Sequence, residues 1–242
     1  MPKPLPRLLN LQSTVLKKGS PLPLGIAFGS GILMALAVAP LNAFPLAWIA
    51  LAPLWVLVFG DRHPSHLSHS NPYRLALVWG IGYHGLALSW ITGLHPLTWL
   101  GMSWPASVAV ALFCWAFITL WGAMLVVIWV WLVRKLTGMS RREKSEDQEE
   151  GTSKLKTQNS KLKTQNSPSS PYAFILIATA FWCSLEWFWS LGSLYWTSLS
   201  FTQSPGNLVI LHLGQLSGPA MVTAAIVIVN GLIAEAWIRY QS

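Results

Sequence analysis

The sequence predicts an all-α fold, a polytopic transmembrane helical bundle of about six spans with both termini in the cytoplasm. Composition is the first reason: 53% of the 242 residues are hydrophobic and 10% are charged, against about 25% charged in a soluble domain. The second is charge placement. All 16 lysines and arginines lie in the N-terminal arm, in alternate loops between apolar runs and at the C-terminal end. The positive-inside rule predicts this pattern for a multi-pass protein.

The apolar runs divide the chain into five segments. They are a cytoplasmic arm (residues 1–21), spans one to four (22–136), a disordered cytoplasmic insertion (137–171), spans five and six (172–238) and a cytoplasmic tail (239–242). The insertion contains a tandem heptapeptide, residues 153–166, with one apolar residue per repeat. A coiled coil is the alternative interpretation, but it needs two apolar positions per heptad over more repeats, so disorder is favoured.

Proline and glycine shape the first two spans. Span one, residues 22–39, contains Gly25, Gly29 and Gly31, which offer a face that another helix can approach closely. Basic residues before it and small residues at its end also allow a cleaved signal peptide, although the following Pro40 argues against that alternative. Span two, residues 44–59, is only about 24 Å long, so it either crosses a thinned bilayer or packs inside the bundle.

Spans three and four are separated by an uncharged loop, residues 93–104, which we expect at the outer interface in contact with lipid. Span three, residues 74–92, carries three further glycines and should pack against protein. Span four, residues 105–133, exceeds the roughly 20 residues that a bilayer requires, so we expect it to tilt or to bend at Gly122. Arg134 and Lys135 should end it at the inner surface.

Glu186 lies in span five, residues 172–191, and is interpreted as the one acidic residue inside a span. An ionisable group there is by default a functional candidate. It either faces substrate or has a structural role as a hydrogen-bond acceptor for another helix.

The loop at 192–208 is uncharged and rich in aromatic and hydroxyl side chains. Span six, residues 209–238, should begin with a separate short helix.

Tryptophan is abundant, with 15 residues, and several lie near predicted span ends, where an indole ring can keep its N–H hydrated. On the uncharged side these are Trp90, Trp99, Trp104 and Trp196, and on the basic side Trp131 and Trp237. Trp90 and Trp196, together with Glu186, are the candidate substrate-facing or structural residues.

Other groups give weaker signals. His63, His66 and His69 are spaced for a metal on a helix, but prolines and serines among them favour a loop, so no metal or cofactor is predicted. His84, His95 and His212 are interpreted as hydrogen-bonded structural residues, with proton transfer or phosphate binding as alternatives.

Cys114 and Cys183 lie in apolar runs, where a thiol is a poor nucleophile, so no catalytic residue is assigned. The basic residues lie beside the membrane, which argues against nucleic acid as a partner.

Three stretches resemble the membrane part of bacterial apolipoprotein N-acyltransferases. The first is Gly31 to Pro40 with Phe44 to Leu54. The second comprises Gly80-Ile-Gly82, Ser89-Trp90, Gly101-Met102 and Pro105, and the third Phe181-Trp182, Glu186-Trp187, Tyr195-Trp196, Gln203-Ser204-Pro205 and Asn230-Gly231. Where the family usually has an arginine three residues after the glutamate, this chain has Trp189. Where the family has a proline before the loop tryptophan, it has Tyr195.

The resemblance implies a role in lipoprotein maturation in the bacterial plasma (inner) membrane. Members of that family transfer an acyl chain from a phospholipid to the N-terminal cysteine of a lipoprotein, using Glu, Lys and Cys of a nitrilase-like domain. Neither cysteine of this chain has the context of that nucleophile. The resemblance therefore implies a truncated or split enzyme, inactive alone, whose partners are phospholipid, lipoprotein substrate and a separately encoded nitrilase-like domain. A noncatalytic membrane scaffold or assembly factor is the alternative, and a small transporter is a further one.

Overall fold

The computed structural model describes residues 21–60, 70–138 and 170–241. The N-terminal arm, the histidine-containing loop at 61–69 and the tandem heptapeptide lie outside the described residues. The α-helices are α1 (Leu22–Leu36), α2 (Ala52–Phe59), α3 (Pro72–Ala87), α4 (Trp104–Leu136), α5 (Pro171–Ser190), α6 (Leu208–Leu211), α7 (Gly214–Ser217) and α8 (Pro219–Gln241). Short 3-10 helices cover Phe44–Trp48, Ser89–Leu94, Thr98–Leu100 and Leu199–Gln203. No β-strand occurs in the three described ranges, which confirms the all-α class.

Within the described residues, three helices are long and apolar enough to cross a membrane, namely α4, α5 and α8. Helix α4 has 33 residues, which corresponds to about 50 Å, whereas α1 has 15 and α3 has 16.

Span six begins, as expected, with separate short helices, α6 and α7. Gly218 then adopts φ 63° and ψ −155°, a backbone conformation open essentially to glycine alone, before α8 starts at Pro219.

Aromatic rings form the core of the bundle. Trp129 of α4 lies 5.5 Å from Trp55 of α2 and 4.8 Å from Trp182 of α5, measured between ring centroids. Phe59 and Phe174 pack edge-on against Trp55 at 5.4 and 5.9 Å. All five side chains are buried. These core indoles are not predictable from the sequence, because burial on all sides of a helix leaves no periodic pattern to recognise.

Helix α3 packs between α1 and α4 through glycine. A Cβ at Gly80 would lie 2.7 Å from Cα of Ala123 in α4, and one at Gly82 would lie 2.7 Å from the carbonyl oxygen of Phe28 in α1. From the other side, a Cβ at Gly31 would meet the carbonyl of Trp79. The expected contact face of span one is wrong for Gly25 and Gly29, because a Cβ at either would have no neighbour within 4 Å.

Span two is broken and buried. The 3-10 turn Phe44–Trp48 is followed by the short helix α2, and Leu51, Leu54 and Trp55 are fully buried, which agrees with packing inside the bundle. Asn230 of α8 caps α2 from outside: its Oδ1 accepts from the backbone N–H groups of Leu51 and Ala52, both at 2.9 Å. Its Nδ2 donates to the carbonyls of Ala47 and Ile226. The first N–H groups of a helix lack intrahelical partners, and this amide supplies one.

Helix α4 is continuous through Gly122, which makes room for the ring of His84. The helix ends at Leu136, beside the predicted stop at Arg134 and Lys135, but the expected surface position is wrong for Arg134. Arg134 is not at the surface: its side chain is buried and Nη1 donates to the carbonyl of Val58 at 2.7 Å. Lys135 keeps the surface position, with Nζ 4.6 Å from the centroid of the Trp131 ring.

Glu186 is also not the one acidic residue within the spans, because Glu235 of α8 is buried as well. Glu235 lies toward the C-terminal end of α8. The two carboxylates lie toward opposite ends of the bundle, since Glu186 contacts Thr223 in the first turns of α8.

Candidate functional site

The loops at 88–103 and 191–207 meet at one end of the bundle, here called the loop end. Glu186, near the C-terminal end of α5, is 7% exposed there and accepts four hydrogen bonds. Oε1 accepts from Trp182 Nε1 at 3.1 Å and from the backbone N–H of Leu199 at 2.9 Å. Oε2 accepts from the hydroxyls of Ser198 and Thr223, both at 2.8 Å.

This arrangement joins three parts of the fold through one carboxylate: α5, the start of α8 and the loop at 191–207. Burial of an anion is unfavourable unless hydrogen bonds replace its hydration, and charge-assisted bonds of this kind are stronger than neutral ones. With both oxygens occupied by protein donors, the geometry favours the structural interpretation of Glu186. The position of the family arginine is filled by Trp189, whose Nε1 donates to the carbonyl of Trp121 at 3.3 Å, so the carboxylate is held by neutral donors.

Two side chains of α3 hold the same loop from the opposite side. His84 Nδ1 lies 2.7 Å from Thr197 Oγ1, and the Tyr83 hydroxyl donates to the Thr197 carbonyl at 3.1 Å. Both side chains are buried. His84 therefore has the hydrogen-bonded structural position that the sequence favoured. Residues 197–199 are thus fixed between α3 on one side and α5 with α8 on the other.

Trp90 and Trp196, the two aromatic candidates, are brought together at the loop end. Their ring centroids are 5.7 Å apart with an interplanar angle of 43°. Trp90 is 55% exposed and Trp196 43% exposed. Trp90 lies in the 3-10 helix that follows α3, and Trp196 directly precedes the fixed residues 197–199. The pair is an exposed apolar surface with a buried polar support behind it.

Tyr195 lies beside this support. Its hydroxyl donates to the Thr197 carbonyl at 3.4 Å. Burial, and next the negative charge of Glu186, raise the pKa of Tyr195 well above its usual value. The phenol therefore stays protonated and remains a hydrogen-bond donor.

A second polar contact at the loop end joins the first turn of α4 to the preceding loop. Ser107 Oγ accepts from the backbone N–H of Leu97 at 2.7 Å and lies 2.8 Å from His95 Nδ1. The Trp104 ring packs edge-on against His95 at 5.1 Å. Ser107 is fully buried, so this pair closes the loop and gives the hydroxyl no path to a substrate. His212 at the start of span six bonds only locally, to the Leu208 carbonyl at 2.6 Å.

The described residues do not bring together an activated nucleophile, a base and an oxyanion-stabilising group, the set that acyl transfer through a covalent intermediate requires. Cys183 donates to the carbonyl of Ala220 at 3.6 Å inside the helix bundle. Among the same residues, no group of three or more His, Cys, Asp or Glu side chains could hold a metal ion. What the loop end offers is an exposed aromatic surface on a rigid base.

Sequence reasoning missed the hydroxyl partners Thr197, Ser198 and Thr223. For Thr197 and Ser198, the one available signal was the hydroxyl-rich composition of the loop at 192–208. Thr223 lies in the apolar helix α8, where the sequence carries no such signal. Nothing in the sequence shows which of the loop hydroxyls turn inward, because irregular backbone has no side-chain periodicity.

Comparison with known proteins gives a consistent result. A family profile described as the apolipoprotein N-acyltransferase N-terminal domain matches residues 30–232. An apolipoprotein N-acyltransferase from a Nostoc species is 47% identical over 206 residues, covering 85% of this chain and 35% of the relative. One from a Synechocystis species is 40% identical over 208 residues, covering 83% and 36%. One from Thermosynechococcus vestitus is 34% identical over 198 residues, covering 82% and 32%. The chain thus spans about a third of the length of these curated relatives.

Proposed function

The chain belongs to the apolipoprotein N-acyltransferase family and corresponds to the N-terminal membrane region of its members. On this premise we propose that it supplies the phospholipid-contacting helical bundle for acyl transfer to the N-terminal cysteine of a lipoprotein. The observation that carries this proposal is the family match over residues 30–232. Catalysis then belongs to a nitrilase-like domain, because the described residues of this chain bring no catalytic set together.

A multi-pass arrangement of about six spans in the bacterial plasma (inner) membrane is part of the proposal. The distribution of charge supports it. The basic residues of the described helices, Arg74, Arg134, Lys135 and Arg239, all lie toward the end of the bundle opposite the loop end. In the positive-inside pattern this end faces the cytoplasm. The loop end then faces outward, on the side where lipoproteins mature in the family.

The lipid contact is assigned to Trp90 and Trp196. Indole rings favour the boundary between headgroups and acyl chains, because the ring is apolar and its N–H is polar. This pair is exposed, lies at the outward end and rests on fixed backbone. A rigid aromatic surface can hold an acyl chain near the headgroup level at a low entropic cost.

The test is reconstitution of the chain with the remaining part of the Nostoc relative, outside the region that this chain matches, in vesicles that contain an acyl-labelled phospholipid. Transfer to a diacylated lipopeptide with a free N-terminal cysteine amine is then measured. We expect transfer when both parts are present and none with either part alone. Trp90→Ala and Trp196→Ala should each lower the rate by at least about fivefold, the size of effect expected when an aromatic anchor is removed from a binding interface.

Trp237→Ala is the matched control, because Trp237 is also an exposed tryptophan but lies near the end of α8, away from the loop end. Its rate should be unchanged. If the two parts bind each other but transfer no acyl chain under conditions in which the full-length relative does, the acyltransferase role is wrong and the chain is a noncatalytic scaffold.

A further inference from the structure

We propose that His84 is a positioning residue that sets the spacing of Trp90 and Trp196 by fixing the loop at Thr197. The lipid-contact consequence of this inference rests on the proposed function, whereas the positioning itself is a property of the bundle alone. His84 lies in the third helix and is 2% exposed. It cannot reach a substrate, so it acts through the groups that it holds.

His84 and Trp90 belong to one continuous structural unit. Helix α3 ends at Ala87 and runs directly into the 3-10 helix Ser89–Leu94, which carries Trp90. Both parts of the unit are anchored: Trp115 Nε1 of α4 donates to the carbonyl of Gly85 in the last turn of α3 at 2.8 Å, and Ile91 of the 3-10 helix is buried. His84 and Trp90 are therefore carried by the same anchored stretch of backbone.

On the other side of the pair, the hydrogen-bond partner of His84 is the residue next to Trp196. Thr197 Oγ1 lies 2.7 Å from His84 Nδ1. This side-chain contact, with that of Tyr83 on the Thr197 carbonyl, joins the unit that carries Trp90 to the loop that carries Trp196. The Glu186 bonds fix Ser198 and Leu199 to α5 and α8, but these helices do not carry Trp90. The α3 contacts thus set the distance between the two indoles.

The ring of His84 occupies the space that the missing side chain of Gly122 leaves open. A Cβ at Gly122 would lie 2.6 Å from both Cγ and Nδ1 of His84, so any side chain there must displace the imidazole. The Tyr83 ring packs on it at 4.6 Å. This close fit provides a way to move His84 without changing any polar group.

The experiment measures the distance between the two indole positions by cross-linking. Trp90→Cys and Trp196→Cys are introduced together into the full chain with Cys114→Ala and Cys183→Ala, and the rate of linking by a short bis-maleimide is followed by mass spectrometry. Thr197→Val removes the hydroxyl at nearly constant shape, and Gly122→Ala displaces His84. Each should slow cross-linking by about fivefold, since one net hydrogen bond corresponds to a factor of roughly two to ten in population. Thr197→Ser should restore the original rate.

Matched controls separate positioning from general damage. Thr179→Val removes another buried hydroxyl, one that donates to the Ile175 carbonyl within α5. Gly29→Ala adds a methyl group where a Cβ has no neighbour within 4 Å. Both controls should leave the cross-linking rate unchanged. If Thr197→Val and Gly122→Ala also leave it unchanged, or if Thr179→Val slows it as much, the inference is overturned.

The outcome is distinguishable from that of the proposed function. The cross-linking readout contains no lipid substrate and no catalytic domain, so it can succeed even if reconstituted acyl transfer fails. Where transfer succeeds, Thr197→Val in the chain with both tryptophans intact should lower its rate as Trp196→Ala does, and an unaffected rate would refute the link to lipid contact.

Discussion

Glu186 illustrates how a single carboxylate organises the loop end. Replacement by alanine leaves the Leu199 N–H, the Trp182 indole N–H and two hydroxyls without their acceptor. Unsatisfied buried donors cost about 1–3 kcal/mol each, so we expect Glu186→Ala to lower stability by at least about 3 kcal/mol. The thermal unfolding midpoint in detergent and the protein level in membranes measure this.

Glu186→Gln provides the contrasting variant at the same position. The amide oxygen can still accept from Leu199 and Trp182, while the amide nitrogen can donate to the hydroxyls of Ser198 and Thr223, which rotate to accept. We therefore expect a loss of only about 1 kcal/mol. Equal loss of protein in both variants would show that the charge, and not the hydrogen-bond pattern, holds the loop.

The sequence shows why such residues are only partly predictable. Glu186 is conspicuous because an acidic side chain interrupts an apolar run, and Trp90 and Trp196 because they lie at span ends. Their neighbours are not conspicuous. Whether Thr197 contacts His84, and whether Trp90 meets Trp196, depends on the path of an irregular loop across more than 100 residues of intervening chain.

Among the elements, helix α2 depends on a cap from another helix. Asn230→Ala removes the acceptor for the Leu51 and Ala52 N–H groups and the donor to the Ala47 carbonyl, all in the broken second span. We expect a loss of about 2–4 kcal/mol, measured as a lower unfolding midpoint. A wild-type midpoint for Asn230→Ala would mean that α2 is capped by other means.

The packing of α3 against α4 depends on the absence of a side chain at Gly80. Gly80→Val would place a Cβ 2.7 Å from Cα of Ala123 and force the two helices apart, at a cost of about 1–3 kcal/mol. Gly25→Val is the control, since a Cβ there has no neighbour within 4 Å. Comparison of the two unfolding midpoints checks the expectation, which is refuted if the two variants are equally stable.

Element prediction succeeded where the pattern is long and failed where context decides. The apolar runs of α4, α5 and α8 are long enough to cross a membrane and are recognisable from composition. The shortness of span two allowed packing inside the bundle to be predicted, but the capping of α2 by Asn230, 179 residues from Leu51, is a tertiary contact. Gly122 was interpreted as a flexible point because glycine weakens helices. The structure instead uses its small size.

For the whole molecule, the orientation can be tested directly. We expect Leu94→Cys, exposed at the loop end, to react with a membrane-impermeant maleimide in spheroplasts, and Tyr240→Cys, exposed at the other end, to be protected until the membrane is opened. The background carries Cys114→Ala and Cys183→Ala. Labelling of Tyr240→Cys in intact spheroplasts would reverse the proposed topology and with it the outward position of the Trp90–Trp196 pair.

The unequal helix lengths have a consequence for the surrounding membrane. Helix α4 is about 50 Å long, while the adjacent α3 and the α1 beyond it measure roughly 24 and 22 Å. The surrounding lipids cannot match both helix lengths at once, so we expect the bilayer to be thinner beside α1 and thicker beside α4. The protein would then sit in a built-in thickness gradient, and acyl-chain length in the host membrane would tilt the whole molecule.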